Sequence, residues 1–196
     1  MKTVTVGIIG AGFASKFHCR SFSRVAGIDV RLKSVADVDA GKASALAGEF
    51  GLEECHGDYR VLLDDPEIDV IDICTPPFLH PGMTLEALAA GKHVICEKPL
   101  TGYFGAPGDG TPIGDKVPRS VMYEKVLEDI RTLEKAAAES DRLFMYAENY
   151  VYSPNILKAA EIIRARKSRI LFMKGEESLK GSTSPVAGRW DRTGGG

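Results

Sequence analysis

The chain has 196 residues, 44% hydrophobic and 27% charged, with 25 basic and 27 acidic side chains and a formal net charge of -2. Those proportions belong to a soluble globular protein long enough for one full domain and part of another. The near-even charge balance argues against a nucleic-acid or membrane-surface partner, and no apolar run approaches the length of a membrane span. The first residues enter a strand without a signal peptide, and the four cysteines, Cys19, Cys55, Cys74 and Cys96, form no C-x-x-C pair. A reduced, cytoplasmic chain with neither a disulfide framework nor a metal site is the expectation.

Thr3 to Ser15 reads T-V-T-V-G-I-I-G-A-G-F-A-S. A β-branched run, Val4 to Ile9, breaks at Gly10-Ala11-Gly12 into a helical pattern, Phe13 to Ala26, with Phe13, Phe17 and Val25 near one face and Gly27 as its stop. Val30 to Asp37 is the second strand, and a helix follows Asp39 as far as Gly51. Glu53 to His56 is a short strand, and Asp58 is placed to cap a helix that stops before Pro66. Val70-Ile71-Asp72-Ile73-Cys74 is the most apolar strand. It breaks at Thr75-Pro76-Pro77, and a helix runs from His80-Pro81 to Gly91. His93-Val94-Ile95-Cys96 is the fifth strand, followed by Glu97-Lys98-Pro99-Leu100. This alternation gives an α/β fold, a doubly wound parallel sheet with helices on both faces.

The rhythm then breaks. Thr101 to Arg119 holds five glycines and three prolines, and loops of this length are usually functional lids or passive insertions. Tyr103 and Phe104 near its start suit a lid, but both readings stand at this point. Ser120 to Ser140 is a helix with Met122, Val126, Ile130, Leu133 and Ala137 on one stripe. Leu143 to Ala147 is a sixth strand. Ser153-Pro154 opens a helix to Arg166, and Arg169 to Lys174 reads as a last strand before a Gly/Ser-rich tail. The resulting division is a dinucleotide-binding domain over residues 1–152 and the start of a second domain over residues 153–196.

In open parallel sheets, ligands sit beyond the carboxyl ends of the strands. Gly10 allows a tight turn, and Gly12 lets the backbone approach phosphate oxygens at a helix N-terminus. Ser15 takes the third small position of G-x-G-x-x-G. An ordinary strand-to-helix turn explains the glycines equally well, but Asp37 lies about 25 residues on, where such folds hold a ribose diol. A carboxylate there repels a 2′-phosphate, so NAD is favoured over NADP. Capping the next helix fits Asp39 better than Asp37. Lys98, just past a buried strand, suits proton transfer to or from an alcohol if partly desolvated; a solvated surface lysine is the alternative. His80 either caps its helix or contacts a cofactor. His18 reads as structural or at the cofactor's edge, and His56 and His93 as structural.

The strings G-I-I-G-A-G-F, V-A-D-V-D, D-I-C-T-P-P-x-x-H, A-G-K-H-V-I-C-E-K-P-L and A-E-N-Y-V-Y-S-P together resemble the Gfo/Idh/MocA family of NAD(P)-dependent oxidoreductases. The resemblance implies a Rossmann domain followed by a truncated α+β substrate domain. It implies hydride transfer between nicotinamide and a carbinol carbon of a sugar, cyclitol or related polyol. Lys98 matches the family's active-site lysine, with Pro99 often following a cis peptide. Gly10, Gly12, Phe13, Ala14, Asp37, Thr75, Pro76, Pro77, His80, Glu97, Lys98 and Asn149 match positions at or near the cofactor. The family passes quickly from E-K-P-L to the next helix, whereas here Thr101 to Arg119 intervenes. It also continues past a stretch like Trp190 to Gly196 into an aspartate and a histidine that complete the site, so this chain resembles the front half of such an enzyme. A full-length relative is expected to be a homo-oligomer acting on a small molecule. A non-catalytic dinucleotide-binding fragment, and NAD-dependent glycoside cleavage, are the alternatives.

Overall fold

The computed structural model describes residues 2–176 and 187–194. Six parallel strands, β1 (Thr3–Ile9), β2 (Asp29–Ala36), β3 (Glu54–His56), β4 (Val70–Ile73), β5 (His93–Glu97) and β6 (Phe144–Ala147), stand in the order β3-β2-β1-β4-β5-β6. The order reverses between β1 and β4, which opens a crevice at their carboxyl ends. The intervening helices are α1 (Phe13–Phe22), α2 (Ala40–Phe50), α3 (Arg60–Asp64), α4 (His80–Ala89), α5 (Ile113–Lys116) and α6 (Arg119–Glu139), followed by α7 (Pro154–Arg166) and α8 (Trp190–Thr193).

Strand alternation sorts the core into two layers. Val6, Ile8, Val35 and Val70 face α1 and α2, where Cys19, Ala43 and Leu46 close the layer. Ile9, Ile71, Ile73, Val94 and Cys96 face the other way, onto Leu62 and Leu63 of α3 and Met83, Ala87 and Leu88 of α4. Each fully buried branched side chain here contributes about 1.5–3 kcal/mol relative to exposure. β4 is buried at all four positions, as a central parallel strand covered on both faces should be.

Local chemistry sets the ends of the helices. Asp39 is the N-cap of α2, its carboxylate accepting the Lys42 N–H, and Gly51 closes the helix in the left-handed region at φ 71°. Asp58 caps α3 from one position further out than the sequence suggests. It accepts the Arg60 N–H, and Tyr59 stands at the cap, so the helix starts one residue late. α1 ends at Phe22, short of Ala26, and its buried side is Ser15 and Cys19. Phe13 and Phe17 point outward and meet edge-on with ring centroids 4.7 Å apart. Phe13 and Phe17 thus mark the outer face of this helix, while the small Ser15 and Cys19 face β1 and Phe22 packs partly buried at its end.

Two further differences concern the second half. The segment after β5 is not structureless, since α5 forms within it and Tyr103 is buried with its hydroxyl donating to Asp109. Arg169 to Lys174 forms no strand. α7 separates this run from β6, and Leu171, Phe172 and Met173 are exposed, with no strand among the described residues paired to them in a hydrogen-bond ladder. The Gly/Ser-rich tail falls largely outside the described residues. No described helix is long and apolar enough to cross a membrane.

Leu133 is the one buried side chain of α6, on the stripe that meets α4. Leu133→Ala should cost about 2–5 kcal/mol in urea unfolding. Val121→Ala, on the exposed side of the same helix, should stay within about 0.5 kcal/mol.

Candidate functional site

A cavity of about 890 Å³ lies across the carboxyl ends of β1, β2, β4 and β5. Gly10, Gly12, Phe13 and Ala14 line it after β1, and Asp37 after β2. Thr75, Pro76 and Pro77 line it after β4, and Glu97 and Lys98 at the end of β5. Ten of the twelve residues singled out in the sequence therefore share one crevice. His80 and Asn149 are not among its lining residues. His80 is fully buried at the start of α4, its ring nitrogens 2.7 Å from the Pro99 carbonyl oxygen and 2.8 Å from that of Thr75. Asn149 opens an exposed 3₁₀ turn (Asn149–Tyr152) after β6.

The two glycines play different parts. Gly10 sits at φ 97°, and a Cβ there would lie 2.7 Å from the Cys74 carbonyl oxygen, so only glycine fits. Gly12 has ordinary extended backbone and nothing within 4 Å of a Cβ. Its hydrogen faces the open cavity at the N-terminus of the ten-residue helix α1, a cradle that a side chain would fill. Ser15 is fully buried and donates its hydroxyl to the Gly12 carbonyl at 2.7 Å, so the third small position packs as glycine or alanine would while adding a bond. Asp37 ties the loop down: one carboxylate oxygen accepts the Ala11 N–H at 2.7 Å and the other the Asp39 N–H at 2.8 Å. These residues fit the diphosphate and ribose of a dinucleotide.

Below Lys98 lies a polar chain that the sequence reading did not assemble. His18 on α1 puts Nδ1 2.9 Å from Asp72 and Nε2 3.0 Å from Glu97, and the second Glu97 oxygen accepts the Lys98 backbone N–H at 2.9 Å. Burial alone pulls the His18 imidazole down, but its bonds to Asp72, Cys74 and Glu97 outweigh that and hold it well above the ordinary histidine range. Burial pushes the Asp72 carboxyl up, with His18 drawing it back. Burial also pushes Glu97 up, but the His18 bond and the Lys98 N–H win, leaving it below the usual carboxylate range. The signal available in the sequence was Asp72 itself, a carboxylate inside the most apolar strand, which must find a buried partner.

Tyr59, Phe78, Arg189 and Arg192 also line the cavity. Tyr59 follows the end of β3 and was within reach of the strand-end rule. The arginines come from far along the chain, and no local pattern announces them. Arg192 stacks over Phe78, 4.4 Å from the ring centroid, and Phe104 meets Phe78 edge-on at 6.4 Å. The Trp190 indole donates to the Tyr103 carbonyl at 2.8 Å, so the segment after Lys98 packs against α8. Neither Tyr103 nor Phe104 is among the cavity's lining residues.

The His18 bonds set a pH dependence of stability. An unfolded histidine releases its proton above about pH 6.5, while the folded ring keeps it, so the stabilisation is complete below that pH and declines as pH rises. Unfolding free energy should therefore fall between about pH 6.5 and 7.5, with a slope approaching 1.4 kcal/mol per pH unit. The slope should vanish in His18→Gln. Keeping below about pH 7.5 avoids the cysteines: burial pushes Cys19 up to about 11 and Cys74 and Cys96 up to about 12, so their ionisation in the unfolded chain at higher pH would add a fall of the same sign. Urea titrations at several pH values check it.

Comparison with known proteins agrees with this geometry. Residues 4–106 match the family described as oxidoreductases with an NAD-binding Rossmann fold (Gfo/Idh/MocA). Levoglucosan dehydrogenase of Pseudarthrobacter phenanthrenivorans is 28% identical over 204 aligned positions, covering 98% of this chain and 46% of that protein. Inositol 2-dehydrogenase of Salmonella typhimurium is 27% identical, covering 82% of this chain and 43% of that protein. A solved structure of levoglucosan dehydrogenase with NADH and L-sorbose superposes with a TM-score of 0.69 at 29% identity, over 84% of this chain and 40% of that one. The chain thus spans less than half the length of these relatives. With its strand order, its glycine turn and the family match over more than half its length, the chain belongs to the Gfo/Idh/MocA oxidoreductase family and carries its NAD-binding Rossmann fold.

Proposed function

We propose that this chain forms the NAD-binding part of an oxidoreductase acting on a carbinol carbon of a sugar, cyclitol or related polyol. The observation that carries the reading is the convergence of the Gly10–Gly12 turn, Asp37 and Lys98 on one cavity. When bound, the nicotinamide supplies the hydride acceptor or donor. The chain's own residues do the rest. Gly12 and the N-terminus of α1 receive the diphosphate. Asp37 accepts from the ribose hydroxyls while holding Ala11 in place. Thr75, Pro76 and Pro77 wall the cavity beside Lys98, and His80 braces the backbone beneath them. Lys98 holds or moves the hydroxyl proton of the substrate, and Asn149 belongs to the cofactor's outer rim.

Residues 1–152 are the dinucleotide domain in this reading, and residues 153–196 begin a substrate domain. The exposed Ile156, Leu157 and Ile162 of α7 suit packing against the rest of such a domain and against other subunits of a homo-oligomer. Four free cysteines suit the cytoplasm. A second reading concerns the 196 residues by themselves: spanning under half the length of the relatives they match, these residues alone bind the dinucleotide without turning over substrate.

Calorimetric titration of the 196-residue chain with NADH and NADPH separates these claims from error. NADH should bind more tightly, because a 2′-phosphate would face Asp37; equal affinities would remove that role. Asp37→Ala should weaken NADH and narrow the discrimination, with some loss of stability through Ala11. Lys98→Ala should leave NADH affinity and the melting temperature nearly unchanged while abolishing any polyol-dependent NADH formation. A Lys98→Ala chain that retained such turnover would show the lysine to be incidental.

A further inference from the structure

The His18 ring joins β4 to β5 through side chains beneath the cavity floor, bonding Asp72 on one side and Glu97 on the other. Alternation makes this possible: Asp72 and Glu97 share the face of the sheet turned to α1, one on each of two adjacent strands. His18 lies one turn beyond Ser15 on the same helix. Every group facing the ring can be named. Asp72 and Cys74 approach from the β4 side, Cys74 Sγ at 3.7 Å, and Glu97 comes from β5. Cys19 and Phe22 flank it on α1 itself, the Phe22 ring edge-on at 6.4 Å. Asp72 is completely buried and meets no other cation among the described residues.

With both carboxyls ionised, two carboxylates this close to one ring require both ring nitrogens to donate. A neutral imidazole would turn a lone pair toward one of them, and the freer one is Glu97, at the cavity edge. Glu97 would then leave, and the Lys98 N–H would lose its acceptor. We propose that His18 and Asp72 are positioning residues: the protonated ring, anchored by Asp72, holds Glu97 where it receives the Lys98 N–H, and so fixes where the Lys98 side chain leaves the sheet. This rests on the proton-handling role given to Lys98 above. Asp72 matters through its charge as well as its shape, since a buried anion is what keeps the ring protonated.

The test is nuclear magnetic resonance on the whole 15N-labelled chain between pH 6 and 9. In the unsubstituted protein both His18 ring nitrogens should remain protonated throughout, and the Lys98 amide resonance should not titrate. Asp72→Asn has the same shape and can still accept from Nδ1, but lacks the charge. In it the His18 ring should titrate within that range, and the Lys98 amide should move with the same midpoint. His18→Ala should leave the Lys98 amide fixed at the displaced position at every pH; if that variant does not fold, Asp72→Asn decides alone. An ordinary titration of His18 in the unsubstituted chain would overturn the proposal, as would a Lys98 amide in Asp72→Asn that ignores the ring's titration. NADH binding is read separately: a chain that fails to bind it while showing the coupled titration refutes the NAD-binding reading but leaves the coupling intact.

Discussion

Everything at the crevice depends on the turn at Gly10. The backbone there must reverse from β1 into α1 while β1 stays paired on both sides, with the Gly10 N–H bonded to the Ala36 carbonyl and the Cys74 N–H to that of Ile9, each at 2.8 Å. The turn is met with a left-handed φ of 97° and a contact with the Cys74 carbonyl that no side chain would permit. Because β1 pairs in parallel with β4, and with β2 past a register shift between Val6 and Gly7, so that Ile9 stands opposite both Ala36 and Ile73, their carboxyl ends arrive together. Asp37 then reaches back 26 positions along the chain to hold Ala11. The site is therefore a property of the sheet's order, and each strand contributes whatever residue happens to end it.

That is why so much was legible in the sequence. Strand ends at Ile9, Asp37, Cys74 and Cys96 can be read from β-branched runs and the residues that stop them, and the ligand rule for open sheets does the rest. What stayed hidden were contacts between elements. Nothing local tells His18 that it will meet Asp72 and Glu97, because that depends on where α1 crosses the sheet. The aromatic residues of α1 look like a core stripe, yet the buried positions of the helix are Ser15 and Cys19, and Phe13 and Phe17 turn outward. Arg169 to Lys174 has the composition of a strand, but composition cannot supply a partner edge, and the run stays outside the sheet. The segment after Lys98 read as a loop because its order comes from Trp190 and Asp109 rather than from periodicity.

The polar groups beneath the crevice are costly and so informative. A buried carboxylate such as Asp72 is penalised by several kcal/mol unless paired, and replacing it with an apolar residue would suit the surrounding layer of Val6, Ile8 and Val70. Its pairing with His18, and His18's with Glu97, leads from the core to the residue beside Lys98. The positioning role proposed above for His18 and Asp72 would give such a charged chain a reason to end there.

The measurement that tests the central claim most directly is a residue-by-residue map of amide resonance changes as NADH is added to the 15N-labelled chain. The account predicts that the largest changes fall together at residues 10–14, 37–38, 75–79 and 97–98, with one shared saturation curve. A second cavity, lined by Thr111, Pro112, Ile113 and Trp190, provides the contrast. Changes centred there, or scattered without saturation while the strand ends stay silent, would contradict the account.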